Sequence, residues 1–321
     1  MNKAIYNIAC VSDTNYMQHT AVMLCSLFET NPTKEFSVFL ITDTYSYLQI
    51  NQQHGDVHSD TCRLQELCGN YGHKLYIIQC SLSEIEDLPI GQWSTFMYLK
   101  LFMPRVLPEK VDRCLFLDVD MVINADIVEL YQIDLDGRII AAVEDIPDCL
   151  AHKSRLGLSE NDLYINSGVM VCDIAKWRNM QKSTDIFDFT RRVVQTIMNE
   201  QDVIALYFKG LIKVLPIKWN MVTFYFLQTP KIFDKYLPQL KEARRNPCII
   251  HFAAPIKPWF SDCSHPYGCL YRKYLAKTPW KCAKFDRYEQ LSLHQRLKKR
   301  VKRVLLFLGV IKDPFYLTTR V

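Results

Sequence analysis

Residues 114–123 read CLFLDVDMVI, an apolar run interrupted by two aspartates, Asp118 and Asp120. The residues before Asp118 are predicted to form a buried strand, because an unbroken apolar run is typical of a strand covered on both faces. Side chains alternate along an extended chain, so the two aspartates project from the same side. Carboxylates beside a core are costly unless they are paired or hold a cation. The stretch therefore indicates either a site for a hard divalent cation, which can in turn hold a diphosphate, or two solvated loop aspartates, since Asp-x-Asp is short and common.

The segments around this stretch alternate between strand patterns and helix patterns. Strands are predicted at residues 5–11, 36–41, 74–79, 115–117, 139–143, 164–172 and 248–252. Helices are predicted at residues 20–28, 45–71, 95–103, 173–178, 186–198 and 202–208. Ser94 is expected to cap the third helix and Pro104 to end it. This order predicts an α/β fold with mostly parallel strands, helices on both faces of the sheet, and ligands at the carboxyl edge.

Composition indicates a globular chain without disulfides. The chain has 321 residues, of which 49% are hydrophobic, enough for a full core. Three of the twelve cysteines, Cys10, Cys114 and Cys172, lie inside apolar runs, and no Cys-x-x-Cys pair occurs, which argues against disulfides and a zinc site. No run approaches the ~20 apolar residues that a membrane span needs, and the first residues lack a secretory pattern. We therefore expect a cytoplasmic protein.

The positive charge is concentrated near the C-terminus. Residues 296–303 carry six basic side chains and no acid. Removing those six from the net charge of +5 leaves −1 for the rest of the chain. A nearly neutral body lacks the electrostatic footprint of a nucleic-acid-binding protein, so we expect no nucleic-acid partner.

Four further segments accompany the two aspartates in a fixed order. They are residues 6–16, 163–171, 200–202 and 251–259, which read YNIACVSDTNY, LYINSGVMV, EQD and HFAAPIKPW. Over residues 5–262 this set resembles the bacterial lipopolysaccharide glycosyltransferases of glycosyltransferase family 8, which also includes the glycogenins. The resemblance implies a single Rossmann-like, nucleotide-sugar-binding domain of the glycosyltransferase A type, which we place at residues 1–270. A basic, partly helical segment follows at residues 271–321.

The resemblance assigns a metal site to Asp118, Asp120 and His251. Mixed oxygen and nitrogen ligands suit manganese better than calcium, and magnesium is the other candidate. A histidine on its own is more often a surface or satisfied core residue, but His251 occurs together with Lys257, which is expected to contact the diphosphate as a point charge. Ala254 departs from the family, where glycine often lets the backbone approach the phosphate.

The resemblance places the nucleotide of a UDP-sugar on the first loop. Tyr16 offers a ring for base stacking, and Asp13 and Asn15 offer partners for the base or ribose. Ordinary turn chemistry is the other interpretation, because Asp, Thr and Asn favour turns without any ligand. The same implied nucleotide site also includes Ala9 and Val119.

Further matches concern the donor sugar. Lys100 stands where the family commonly has arginine; it keeps the charge but loses the fork geometry, and a lone helix lysine is usually just solvated. Asn166 and Ser167, followed by Gly168, match the family's Asn-Ala-Gly, which lines the sugar pocket. Gly168 is expected to permit close backbone approach.

The catalytic residues implied by the resemblance are Asp145, Glu200 and Gln201. Gln201 is placed nearest the anomeric carbon and Glu200 near a sugar hydroxyl. Residues 200–202 can equally be a charge cluster at a helix N-terminus. Because family members retain the anomeric configuration and glutamine is a poor nucleophile, we favour attack within an ion pair that Gln201 stabilises.

These residues predict a retaining, metal-dependent hexosyltransferase that uses UDP-glucose or UDP-galactose and a lipopolysaccharide core or other surface glycan as acceptor. A catalytically silent nucleotide-sugar- or glycan-binding protein of the same fold is the alternative. A sugar-1-phosphate nucleotidyltransferase is disfavoured, because residues 12–16 contain neither the glycine nor the lysine of its phosphate loop.

An apolar stripe with helical spacing lies within the basic C-terminal segment. It comprises Leu297, Val301, Val304, Leu305 and Leu308. Docking of this stripe on the core is one interpretation. We expect instead that residues 293–312 bind an anionic membrane surface, the cytoplasmic face of the cell membrane, where a lipid-linked acceptor is found.

Overall fold

The computed structural model describes residues 4–44, 59–91, 94–145, 149–230 and 232–288, and in the C-terminal segment residues 298, 301–302, 304–306 and 308–315. The strands in this part of the chain are β1 Ile5–Val11, β2 Glu35–Asp43, β3 Lys74–Cys80, β4 Arg113–Leu117, β5 Met121–Ile123, β6 Ile140–Glu144, β7 Ile165–Asp173, β8 Ile212–Val214, β9 Met221–Val222 and β10 Ile249–His251. The α-helices are α1 Met17–Thr30, α2 Asp60–Asn70, α3 Met103–Val106, α4 Val128–Tyr131, α5 Cys149–Arg155, α6 Ile174–Ser183, α7 Ile186–Arg192, α8 Glu200–Tyr207, α9 Leu237–Arg245 and α10 Gly268–Leu275. Short 3-10 helices occur at Thr14–Tyr16, Thr95–Phe102, Ile217–Trp219, Thr223–Phe226 and Asp234–Tyr236.

Two sheets organise the described chain. The main sheet has seven strands in the order β3-β2-β1-β4-β7-β6-β8, and β7 runs antiparallel to both of its neighbours. The small sheet has three strands in the order β5-β10-β9. The predicted α/β fold with a mixed, mostly parallel sheet is therefore confirmed.

The two aspartates lie where the chain crosses from one sheet to the other. β4 of the main sheet ends at Leu117, and β5 of the small sheet begins at Met121. Residues 118–120 are therefore the link between the sheets, and they lie at the carboxyl end of β4. Ligands of open α/β sheets bind at this edge.

Alternate residues of the central strands pack into different core clusters. In β4, Leu115 and Leu117 join the cluster that contains α1 and the small sheet. Cys114 and Phe116 join the cluster that contains α6 and α7. This alternation shows that the main sheet is covered on both faces, as its apolar strands predict.

The helix before β4 differs from the prediction. Ser94 caps it as expected, with its Oγ accepting from Phe96 N at 3.3 Å, but Thr95–Phe102 is a 3-10 helix. Pro104 does not end the helical path, because it occupies the first turn of α3, where its missing N–H costs no hydrogen bond.

Other element boundaries were also wrong. The helix predicted at residues 186–198 ends at Arg192, and the helix predicted at 202–208 begins at Glu200. The strand predicted at 248–252 is β10, which belongs to the small sheet. Within the helix predicted at 45–71, only Asp60–Asn70 is observed, and residues 45–58 lie outside the described part of the chain. The C-terminal segment predicted to begin at residue 271 starts inside α10, which ends at Leu275.

The C-terminal segment is partly helical. Residues 298, 301–302 and 304–306 are helical, and Phe315 then forms an antiparallel bridge with Leu227. Among the described residues, no helix combines the length and the apolar character that a membrane span requires.

Candidate active site

Three side chains of metal-ligand type converge where the two sheets meet. Asp118 and Asp120 follow β4, and His251 is the last residue of β10. One ligand atom from each lies within 4.8 Å of the others, and His251 Nε2 is 3.2 Å from Asp120 Oδ1. Two carboxylates and one imidazole at this spacing fit a Mn²⁺ or Mg²⁺ ion, so the structure brings together the predicted metal ligands.

Gly168 makes this convergence possible. A Cβ atom at this position would lie 2.7 Å from His251 Cε1, 2.8 Å from Met121 Cε and 2.9 Å from Asp118 Oδ2. The Gly168 carbonyl also accepts from Asp118 N at 2.8 Å, which holds β7 against the aspartates. The close backbone approach expected at this glycine is directed at the metal-ligand cluster.

Lys257 neutralises the second aspartate. Its Nζ donates to Asp120 Oδ2 at 2.6 Å and to the Phe252 carbonyl at 2.7 Å. Removal from water would raise the pKa of Asp120, but the charge of Lys257 and the contact with His251 outweigh it and hold that pKa well below its usual range.

Lys100 neutralises the first aspartate from the opposite side. Its Nζ donates to Asp118 Oδ1 at 3.3 Å, Ser167 Oγ at 3.0 Å and Glu200 Oε1 at 3.0 Å. Burial would lower the pKa of Lys100, but the charges of Asp118 and Glu200 outweigh burial and raise it. For Asp118, removal from water raises the pKa, and Lys100 offsets part of that rise. The solvated-lysine interpretation is wrong, because Lys100 is only 3% exposed.

Gln201 is held from both sides of its amide. Its Oε1 accepts from Ser167 N at 3.0 Å, and its Nε2 donates to Asp145 Oδ2 at 3.2 Å. Ser167 Oγ in turn donates to Glu200 Oε1 at 2.7 Å. The structure therefore joins the predicted catalytic residues in one hydrogen-bonded network with the predicted sugar-pocket serine.

Asp202 anchors the start of α8 in the core. It is fully buried, Arg155 Nη2 reaches its two carboxylate oxygens at 2.9 and 2.8 Å, and Tyr164 Oη donates to it at 3.0 Å. Asn199 caps the helix by accepting from Asp202 N at 3.1 Å. The interpretation of residues 200–202 as a helix N-terminus therefore holds alongside the site interpretation. Arg155 was missed, because it lies 47 residues from its partner and no local pattern marks it.

The first loop shows the predicted turn chemistry. Asp13 Oδ1 accepts from Asn15 N at 2.9 Å and from Tyr16 N at 3.1 Å, which starts the 3-10 helix Thr14–Tyr16. These bonds pre-form the loop at the carboxyl end of β1, one strand from β4. Recognition of a base by these side chains stays a prediction.

An aromatic layer covers the first loop. The His19 and Trp259 rings stack with centroids 3.6 Å apart, and Tyr16 meets Trp259 edge to face at 5.8 Å. His19 Nδ1 is 2.7 Å from Tyr271 Oη. Sequence reasoning missed His19, although its position three residues after Tyr16 on α1 places it beside that tyrosine.

The remaining residues predicted for the nucleotide and sugar sites differ in how deeply they are buried. Ala9 is fully buried within β1, and its place in the nucleotide site stays a prediction. Val119 is also buried and packs into the core between the two aspartates. Ala254 is half-buried in the loop after β10, and Asn166 is half-buried in β7 with its Oδ1 accepting from Asn220 Nδ2 at 2.8 Å.

A family model described as Glycosyl transferase family 8 matches residues 7–263. The chain belongs to glycosyltransferase family 8. The resemblance inferred from the motifs is confirmed, and the protein is a glycosyltransferase. The matched range contains the small sheet, the main sheet except the first two residues of β1, and the ligand cluster with Lys100, Gln201 and Lys257.

Curated relatives of this family 8 glycosyltransferase include enzymes of lipopolysaccharide synthesis. It is 26% identical over 330 residues to a lipopolysaccharide 1,2-glucosyltransferase of Escherichia coli K12, covering 97% of this chain and 90% of that protein. It is 24% identical to a lipopolysaccharide 1,3-galactosyltransferase of Salmonella typhimurium, covering 86% of this chain and 79% of that protein. It is also 26% identical to General stress protein A of Bacillus subtilis, covering 86% of this chain and 95% of that protein.

The fold also matches a solved structure of galactosyltransferase LgtC in complex with donor and acceptor sugar analogs. The TM-score is 0.71 at 18% identity, and the match covers 91% of this chain and 99% of that one. The glycosyltransferase A type of fold predicted from the sequence is confirmed.

Proposed function

We propose that this family 8 glycosyltransferase is a retaining, manganese-dependent hexosyltransferase that moves glucose or galactose from a UDP-sugar to a lipopolysaccharide core or another surface glycan. The choice of hexose and acceptor is supported by the glucosyl- and galactosyltransferases among its relatives. The ligand cluster of Asp118, Asp120 and His251, flanked by two lysines, carries the proposal.

This arrangement suits departure of a nucleoside diphosphate. A divalent cation on the three ligands would supply Lewis-acid stabilisation of the charge that develops on the leaving diphosphate. Lys257 adds a partly exposed positive charge from the loop beside the ligands, and Lys100 supplies a buried one. Preorganised charges of this kind stabilise a transition state without reorganisation at the moment of reaction.

The Gln201 amide supports attack within an ion pair over a covalent intermediate. The backbone N–H of Ser167 can only donate, so Gln201 Oε1 must face it and Nε2 must face Asp145. The Oε1 atom is therefore already engaged and oriented. A carbonyl oxygen held in this way keeps a second lone pair that can stabilise positive charge at the anomeric carbon, and a neutral amide is too weak a nucleophile to favour a covalent intermediate.

The nucleotide is proposed to be uridine diphosphate, bound by Asp13, Asn15 and Tyr16. The Asp13 hydrogen bonds hold the loop in shape, and Tyr16 presents a half-buried ring at the carboxyl end of β1. Competition between UDP and GDP tests this assignment. Equal inhibition by the two nucleotides would contradict a uridine-selective loop.

The decisive experiment measures UDP release and sugar transfer from a panel of UDP-sugars, with Mn²⁺ and with excess chelator. Asp120→Ala and His251→Ala should each remove nearly all turnover while the fold remains intact, because the cation contributes several kcal/mol of leaving-group stabilisation. Asp188→Ala is the matched control, since that carboxylate is 67% exposed and pairs with Arg191 in the following turn. Normal transfer by either site variant, or in chelator, would refute the metal site. No turnover with any donor would favour the silent-protein alternative.

We further propose that residues 293–312 attach the enzyme to the cytoplasmic face of the cell membrane. Three of the four described members of the predicted apolar stripe are exposed, Val301 52%, Val304 56% and Leu308 64%, and Leu305 is half-buried. Phe315 contacts Leu227 beyond it, so the segment is tied back to the body of the enzyme. Six basic side chains accompany the stripe, and each contributes about 1 kcal/mol near an anionic surface.

Flotation with anionic liposomes tests the membrane proposal. The full-length protein is compared with a variant in which Val301, Val304 and Leu308 become serine, and with a second in which the basic residues of 296–303 become glutamine. Full-length variants are preferred to truncation because Phe315, beyond the segment, forms a bridge with Leu227. Both variants should lose binding at low salt. Equal flotation of all three proteins would contradict the proposal.

A further inference from the structure

The ring nitrogen of His251 that carries a hydrogen can be deduced by starting from one backbone N–H group. The Gly168 N–H donates to Asn166 Oδ1 at 3.1 Å. A backbone N–H is never an acceptor, so the oxygen of the Asn166 amide must face it. This assignment fixes which end of the Asn166 side chain is the carbonyl.

The same oxygen then orients a second amide. Asn220 approaches Asn166 Oδ1 at 2.8 Å, and only its Nδ2 can donate to an oxygen that has no hydrogen. The other end of the Asn220 amide, its Oδ1, must therefore be the atom that lies 3.0 Å from His251 Nδ1. An amide oxygen only accepts, so the hydrogen lies on His251 Nδ1.

This relay turns Nε2 of His251 towards the carboxylates, 3.2 Å from Asp120 Oδ1, where it is placed to ligate a cation. Asn220 has no exposed surface, and His251 is only 4% exposed, so water does not compete for these bonds. The position of Asn220 follows from the fold. It ends the 3-10 helix Ile217–Trp219 and precedes β9, which pairs with β10 so that Val222 lies opposite His251.

We propose that Asn220 is a positioning residue that holds His251 in the Nδ1–H tautomer, and that it links this metal ligand to the sugar-pocket residue Asn166. The inference rests on the metal site of the proposed function. Partners of the non-ligating ring nitrogen typically change metal affinity by ~10- to 100-fold. Such a partner is absent from the motifs of the sequence, because Asn220 lies 31 residues from His251 and 54 from Asn166.

Two substitutions at Asn220 separate the relay from simple packing. Asn220→Ala removes the acceptor for His251 Nδ1 and should weaken Mn²⁺ binding by ~10- to 100-fold. Asn220→Asp keeps an acceptor for His251 Nδ1 but sets a second oxygen against Asn166 Oδ1, so it should lose less than ~10-fold in Mn²⁺ affinity while lowering the unfolding temperature. Asn166→Asp is the control, because its Oδ1 can still accept from Gly168 and Asn220 and the relay remains intact. Affinity is measured by electron paramagnetic resonance of free Mn²⁺, with thermal unfolding to confirm that each variant is folded.

The ring itself provides a readout that does not depend on any variant. In the metal-free wild-type protein, the ¹⁵N shifts of His251 should show that Nδ1 carries a hydrogen. A His251 Nδ1 without a hydrogen, or unchanged Mn²⁺ affinity in folded Asn220→Ala, would overturn the inference. If the wild-type protein binds no Mn²⁺, the proposed metal site fails, while the tautomer measurement still decides the role of Asn220.

Discussion

The candidate site consists of two halves that differ in how they are held. The main-sheet half contains Asp118 and Lys100, and its lysine is 3% exposed with three acceptors around it. The small-sheet half contains Asp120, His251 and Lys257, and its lysine extends from the irregular loop after β10, 18% exposed, to one carboxylate and one carbonyl. The first lysine is therefore part of the core, whereas the second can exchange its partners for a ligand.

The difference has a physical origin. Lys100 lies on the 3-10 helix Thr95–Phe102, which packs against β1 and β2, and its removal would leave Asp118 and the buried Glu200 without their counter-charge. Lys257 lies close to water, so the cost of leaving Asp120 is small once a diphosphate offers replacement oxygens. One half thus preserves the geometry of the site, and the other can respond to the donor.

The largest effect is expected at Gly168, where the two halves meet. Gly168→Ala places a methyl group within 3 Å of atoms from both halves and should lower turnover by at least ~100-fold, because it displaces the ligands by a fraction of an ångström or more. Mn²⁺ affinity and kcat are the measurements. Gly69→Ala is the control, since nothing lies within 4 Å of its added Cβ and no positive φ constrains it. Wild-type Mn²⁺ affinity in Gly168→Ala would show that the halves are not held together at this point.

The two lysines should separate stability from binding. Lys100→Met should lower the free energy of unfolding by about 3–5 kcal/mol, since it breaks a buried charge network. Lys257→Met should lower that free energy by less than Lys100→Met does, because the Lys257–Asp120 pair is 18% and 14% exposed and keeps some contact with water, yet it should raise the KM for the donor. Urea unfolding and steady-state kinetics provide the two readouts. Equal destabilisation by both substitutions would contradict the division into a structural and a responsive half.

A double-mutant cycle tests whether Lys100 and Glu200 act as one unit. Lys100→Arg lengthens the cation and Glu200→Asp shortens its partner, so each single substitution should destabilise the network. The double variant should recover part of the loss, with an interaction free energy of ~0.5–3 kcal/mol. Thermal and urea unfolding of the four proteins measure it. Strict additivity would show that the two side chains are not coupled, despite their 3.0 Å contact.

The smallest change in the free energy of unfolding at neutral pH is expected for His19, which lies in the aromatic layer beside the small-sheet half. Burial lowers the pKa of His19 to about 3. Because the unfolded chain titrates near pH 6.5, the unfolded state binds more protons below that pH, and stability is lost as the pH falls from about 6.5 towards 3. Wild type should lose roughly 1 kcal/mol by about pH 6 relative to pH 7.5, and His19→Gln should lose less. Parallel pH profiles of unfolding free energy for the two proteins would contradict this assignment.

Local sequence patterns identified the residues whose placement follows from their position within a single strand or helix. The alternation in residues 114–123 placed Asp118 and Asp120 on one side of the chain, and the apolar runs located seven of the observed strands. Element ends were less accurate, because capping and turn geometry decide them. Pro104 illustrates this, since it lies in the first turn of α3 instead of ending the helical path.

The sequence by itself determined the class of fold, the family and most of the charged residues of the site, because periodicity and short motifs encode them locally. Only the tertiary structure decided which of these residues meet. β5 leads the chain out of the main sheet, β10 returns His251 to Asp120 more than a hundred residues later, and β9 places Asn220 behind it. Arg155 and Asn220 have partners 47 and 31 residues away, and contacts at that separation are set by sheet pairing and core packing rather than by neighbouring residues.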